Sequence, residues 1–182
     1  MPFELHPEIP PEGRPRHEVL PAAYMARARE GVNRMGAAVG LHLALHERLI
    51  NSRPALQGAE FAREQGRFEE MHHELLKVYW DEGRDVSDLS VLREVAARAG
   101  VDVAGMQAAI AADRFGDYLD ARRAEAEELG INGIPAHVIA DRYLVMGAQP
   151  YELFQQVMAK VGVPKRAANS PPPLAGEGQG GG

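Results

Sequence analysis

From Pro21 onward the apolar residues fall at helical spacing. Tyr24, Ala28, Val32 and Met35 recur every three or four positions, which predicts an amphipathic helix, and Pro21 suits its first position. The stretch from Gly40 to Arg48 fits a strand and a loop equally well. Ser52 is placed to cap a second helix, with Pro54 in its first turn and Leu56, Ala59 and Ala62 following. Gly66 breaks that pattern. Phe68, Met71, Leu75, Val78 and Tyr79 then define a strongly amphipathic helix. Asp88 predicts the cap of the next, which carries Leu92, Val95 and Ala96 and stops at Gly100. Asp102 caps a fifth with Val103, Met106 and Ile110. A sixth runs from about Asp117 to Leu129 and closes at Gly130. The middle of the chain therefore reads as a group of packed helices.

The pattern changes on either side of this group. After Gly130, Ala136-His137-Val138-Ile139-Ala140 and Tyr143-Leu144-Val145-Met146 are short apolar runs joined by Asp141-Arg142, which predicts a β-hairpin. Gln149-Pro150 opens a last helix with Leu153, Phe154, Val157, Met158 and Val161 on its inner face. From residue 165 the chain is rich in Pro and Gly and cannot bury enough apolar surface to fold, so 165–182 is expected to be a disordered tail. At the other end, Pro2, Pro7, Pro10, Pro11 and Pro15 predict an extended course, in which Phe3 and Leu5 alternate with polar neighbours like the end of a strand. One hairpin is marginal in water, and sheets ordinarily need three or more strands. The hairpin therefore calls for partners that this sequence barely supplies.

Composition narrows the chemistry. The chain of 182 residues is 45% hydrophobic and 25% charged, with a formal net charge of -6 and no run of Lys or Arg; a nucleic-acid partner is not expected. No segment approaches the roughly 20 apolar residues of a membrane span. The start, Met1-Pro2-Phe3-Glu4-Leu5-His6-Pro7, lacks the basic and apolar regions of a signal peptide, so a cytoplasmic location is expected and no membrane partner. The chain contains no cysteine. It therefore has no disulfide, no thiolate nucleophile and no cysteine-ligated metal of its own.

The other candidate chemistry is weak. Adjacent His72 and His73 point about 100° apart on a helix and make poor co-ligands, even with Glu69 nearby; His72 is expected on the apolar face. His42 and His46 suit a helical ligand pair, but no third ligand stands at the right spacing, and no metal is expected. Glu125, Glu127 and Glu128 read as a solvated face, Asp113 and Asp117 as a helix end and a cap. Gly147-Ala148-Gln149-Pro150 is a turn, without the glycine pattern of a phosphate loop.

Taken in order, several short motifs carry a resemblance. They are Pro2-Phe3-Glu4-Leu5-His6-Pro7 with Pro10-Pro11-Glu12-Gly13, Asn51-Ser52-Arg53 before a helix, and Glu82-Gly83-Arg84-Asp85-Val86 after one. Gly130-Ile131-Asn132-Gly133-Ile134-Pro135, the hairpin and Gly147-Ala148-Gln149-Pro150 before the last helix complete the set. Together they resemble the DsbA family, and within it the FrnE-like branch related to 2-hydroxychromene-2-carboxylate isomerases and kappa-class glutathione transferases. The resemblance covers nearly everything from Pro2 to about Val161. It implies an α/β, thioredoxin-like fold with a helical insertion. Residues 1–20 correspond to the remnant of a second strand and a Pro-rich linker, 21–129 to the insertion, and 130–164 to the C-terminal half of the thioredoxin fold.

In such a family the first strand, the Cys-x-x-Cys pair and its helix would precede the segment with which this sequence opens. The N-terminal β-α-β half is thus expected to be largely missing, most simply through a start assigned too far downstream. The resemblance implies dithiol–disulfide exchange as the family activity, with no catalytic residue and no cofactor in this chain and redox inactivity as written. It also implies that Ile134-Pro135 is cis and that its loop pairs with an extended polypeptide substrate. Two alternatives stand beside it: a redox-dead binding module, completed by a partner strand or as a homodimer, and a glutathione-dependent isomerase. Alone, the chain is expected to be poorly soluble or molten.

Overall fold

Helix breakers and short polar caps set most element boundaries. In the structure, a computed structural model that describes residues 2–163 except 39, 42 and 45, Asp88 accepts the Ser90 N–H at 2.7 Å and opens one helix. Asp102 accepts the Ala104 N–H at 3.1 Å and opens the next. Gly66, Gly100 and Gly130, at φ +67°, +70° and +74°, let the chain turn back at helix ends, where Arg67, Val101 and Ile131 donate to the carbonyls of Ala62, Ala96 and Ala126. The expected tail 165–182 and His42 lie outside the described residues.

The chain divides into two units, Met1–Asn132 and Gly133–Gly182. The first contains β1 (Arg14–Pro15), α1 (Arg16–Val19), α2 (Ala22–Ala38), β2 (Arg48–Leu49), α3 (Arg53–Glu64), α4 (Phe68–Trp80), α5 (Leu89–Arg98), α6 (Val103–Ala111) and α7 (Gly116–Glu128). Met71, Val78, Leu92, Val95, Ala96 and Met106 are completely buried at its centre. Small residues on α3 permit this packing. A Cβ added at Gly58 would stand 3.2 Å from both the Met106 sulfur and the Met71 methyl. Neighbouring Ala55, Ala59 and Ala62 are buried too.

Three expectations are corrected in this unit. Ser52 does not cap α3; the Asn51 side chain does so, its Oδ1 accepting the Arg53 N–H at 2.9 Å while its Nδ2 donates to the Ile9 carbonyl at 2.8 Å. The alternation at Phe3 and Leu5 is not a strand. The prolines at 2, 7, 10 and 11 cannot donate to a ladder, and side chains hold this segment instead. Arg48 donates to the carbonyls of Glu12 and Gly13, and β1 pairs antiparallel with β2. His72 is exposed and stacks on Phe68, with ring centroids 5.4 Å apart.

Arg53 gathers three carboxylates from distant parts of the unit. It meets the buried Glu4 carboxylate at 3.0 Å, Asp120 in a forked pair at 2.9 and 3.2 Å, and Asp113 at 3.6 Å. Hydrogen bonds from Arg53 hold the Asp120 carboxyl below its usual range, and those to Asp120 and Glu4 raise the guanidinium. Asp113, read from sequence as a helix end, also accepts the Gln57 amide at 2.8 Å.

The second unit contains β3 (Ala136–Ile139), β4 (Tyr143–Met146) and α8 (Tyr151–Lys160). The strands pair antiparallel, with Ala136 opposite Met146 and Ile139 opposite Tyr143. Ala140 belongs to the turn rather than to the strand. Ala140 and Asp141 lie at φ +53° and +50°, and Arg142 N–H closes on the Ile139 carbonyl at 3.2 Å. Left-handed residues at the centre of a hairpin turn match the twist of the strands. Of the inner-face residues expected on α8, Val157 alone is buried, while Leu153, Phe154, Met158 and Val161 are half-buried.

Candidate functional site

Ile134 and Pro135 lead directly into β3. The Ile134–Pro135 peptide bond is cis, and the Pro135 carbonyl accepts the Gly147 N–H at 2.8 Å, tying the turn to the far end of β4. Ile134 is 57% exposed. Among the described residues, neither its N–H nor its carbonyl takes part in a backbone hydrogen bond. Among the described residues the β3–β4 sheet has two strands, so the outer edge of β3 offers a row of backbone donors and acceptors from Ile134 onward.

Side-chain alternation sorts the hairpin into two faces. His137 and Val145 lie opposite each other; Val145 is buried, and His137 meets the Phe154 ring of α8 edge-on at 5.0 Å. On the other face Val138 pairs with Leu144, and both stay exposed, at 44% and 40%. An open groove of about 280 Å³ runs beside β4, lined by Tyr143, Met146, Gln149, Leu153 and Val157 among others. Gln149 holds the end of β4 by donating to the Met146 carbonyl at 2.8 Å. The site is an exposed apolar surface beside an open strand edge. It has the form that captures an extended chain through its backbone and alternate side chains.

A DSBA-like thioredoxin domain matches residues 1–159. The chain belongs to that family. A solved relative, the crystal structure of probable DsbA oxidoreductase SCO1869 from Streptomyces coelicolor, is 28% identical. It aligns with 93% of this chain and 76% of its own at a TM-score of 0.75. The uncharacterized protein YwbO of Bacillus subtilis (strain 168) is 23% identical over 164 residues, 87% of this chain and 79% of that protein. The fold is thus the thioredoxin-like fold of DsbA proteins, mostly helical, with the helices of Met1–Asn132 as its helical part.

The other sequence candidates do not join this site. His46 Nε2 lies 2.8 Å from the Tyr79 carbonyl, to which it donates, and its ring stacks on Tyr79 at 4.0 Å. Burial pushes the Tyr79 phenol up. Glu125 and Glu127 pair with Arg122 and Arg123 along α7. Among the described residues, no three His, Asp or Glu side chains converge as a metal site, and no helix is long and apolar enough to cross a membrane. The exposed Val138–Leu144 pair was missed as a site feature, although strict alternation along both runs marks which residues share a face.

Proposed function

We propose that this chain is the substrate-presenting part of a DsbA-family thiol–disulfide oxidoreductase. It binds extended polypeptide along β3, beginning at Ile134, and does not exchange disulfides by itself. The observation that carries this reading is the open β3 edge headed by Ile134, whose backbone groups have no backbone partner among the described residues. A guest strand would pair with that edge, and its side chains would rest on Val138 and Leu144.

The second half of the proposal follows from composition. Dithiol–disulfide exchange begins with a thiolate attacking a disulfide sulfur, and the sequence contains no cysteine. Any exchange must draw its thiols from outside this sequence. The test is titration of the full chain into a fluorescent, carboxymethylated, unfolded polypeptide. Binding is expected for the native chain and at least about tenfold weaker binding for Ile134→Pro, which removes an N–H that the guest would use. Equal affinity in both, with unchanged circular dichroism, would reject the site.

A further inference from the structure

Helix α2, in the unit Met1–Asn132, turns an apolar strip outward. Tyr24, Ala28, Gly31 and Met35 follow one another at steps of four, three and four residues and so share one line along the helix. Tyr24 is 59% exposed and Met35 50%, and Ala28 is exposed as well. The neighbouring line, Met25, Val32 and Gly36, leans on the chain itself. Met25 and Val32 are half-buried, and Gly36 is buried against the Leu41 carbonyl and the Leu43 side chain. The helix therefore uses one side of its apolar arc internally and leaves the other uncovered.

Two features of the uncovered strip indicate what it would accept. The first is charge. Arg27 and Arg34 border the strip on its outer side, and Arg29 lies across the helix beside Met25 and Val32. All three are exposed, in a chain whose net charge is -6. Among the described residues, neither Arg27 nor Arg29 has a carboxylate within salt-bridge distance, and Arg34 touches Glu30 only at 4.0 Å, with both side chains largely in water. The second is Gly31. Glycine in a helix interior lowers helix stability relative to alanine, and a Cβ added here would meet nothing within 4 Å. The chain's own packing does not require a glycine at this point. It does let another helix approach closely between Tyr24 and Met35.

We propose that α2 is a docking surface for an acidic amphipathic helix of another protein. The apolar side chains of the partner would lie along Tyr24, Ala28, Gly31 and Met35, with its glutamates or aspartates against Arg27 and Arg34. A second copy of this chain fits less well, because α2 paired with α2 brings arginine rims together. An anionic membrane must overcome the negative charge of the rest of the molecule. This surface belongs to the unit Met1–Asn132 and the β3 edge to the unit Gly133–Gly182, and its test does not depend on that site.

The experiment uses the full chain and two synthetic helix-forming peptides with the same Leu/Ala strip. One is flanked by glutamates, the other by lysines. The glutamate peptide is expected to bind more tightly by about tenfold or more, and Arg27→Glu with Arg34→Glu should reverse that order. Gly31→Leu should abolish binding while circular dichroism shows α2 intact, since leucine favours helix over glycine. No preference between the peptides, or binding that survives Gly31→Leu, would overturn the proposal. So would self-association in sedimentation, or capture by phosphatidylglycerol vesicles, that Gly31→Leu eliminates; those results would assign the strip to a second copy or to a lipid surface.

Discussion

Arg53 shows how much a single side chain settles in this molecule. Among the described residues it is the only hydrogen-bond partner of the Glu4 carboxylate, whose side chain is 3% exposed. Removing one member of a buried pair strands the other charge away from water. Arg53→Ala should therefore lower stability by roughly 3 kcal/mol in urea denaturation, whereas Arg53→Lys should retain part of the contact. The pH dependence has a definite sign. Arg53 depresses the Asp120 carboxyl in the folded state, so the contribution is present above the ordinary Asp range and lost as pH falls through the folded value. Asp120 is half exposed and solvent screens the pair; Arg53→Ala should flatten the acid limb of the stability profile. None of this cluster was legible in the sequence. Glu4 and Arg53 stand 49 residues apart, Arg53 and Asp120 stand 67 apart, and no local period links them.

At the scale of elements, the helix caps at Asp88 and Asp102 and the stops at Gly66 and Gly100 could be read from sequence because each acts on its own nearest neighbours. The cap of α3 could not. Asn51 and Ser52 are both capping residues, and the choice fell to Asn51 because its amide also reaches the Ile9 carbonyl 42 residues away. Asn51→Ala should accordingly cost about 1–2 kcal/mol in a thermal or urea melt, and Ser52→Ala close to nothing. The hairpin turn was misplaced for a similar reason. Ala140 sits at φ +53°, a conformation that sequence rules assign to Gly, Asn or Asp. Ala140→Gly should thus stabilise the hairpin by about 1 kcal/mol, seen as slower amide exchange at His137, Ile139, Tyr143 and Val145, whose N–H groups face the paired strand. An unchanged exchange rate would contradict the assigned turn.

At the scale of the whole molecule, the helical grammar of 21–129, the hairpin and the last helix identified the family before any contact was known, because motif order survives where individual motifs are weak. The exposure of α2 was not legible. Its apolar period is that of a buried helix, and a period states which residues share a face without stating what covers it. Exposed Val138 and Leu144 in one unit, and Tyr24 and Met35 in the other, lead to a further expectation. The full chain should bind an apolar dye in its native state, and a chain that binds none would contradict these exposures. Mixed with a disulfide-bonded substrate and a small-molecule thiol, it should not accelerate reduction, since it contributes no thiolate.

The central claim is that extended polypeptide pairs with the free edge of β3. The most direct measurement is the change in backbone amide shifts of the full chain as a carboxymethylated, unfolded polypeptide is added. The account expects the largest changes at Ile134 and along Ala136–Ile139, with the α3–α6 amides unmoved. Saturable binding that leaves Ile134 and β3 unperturbed would contradict it.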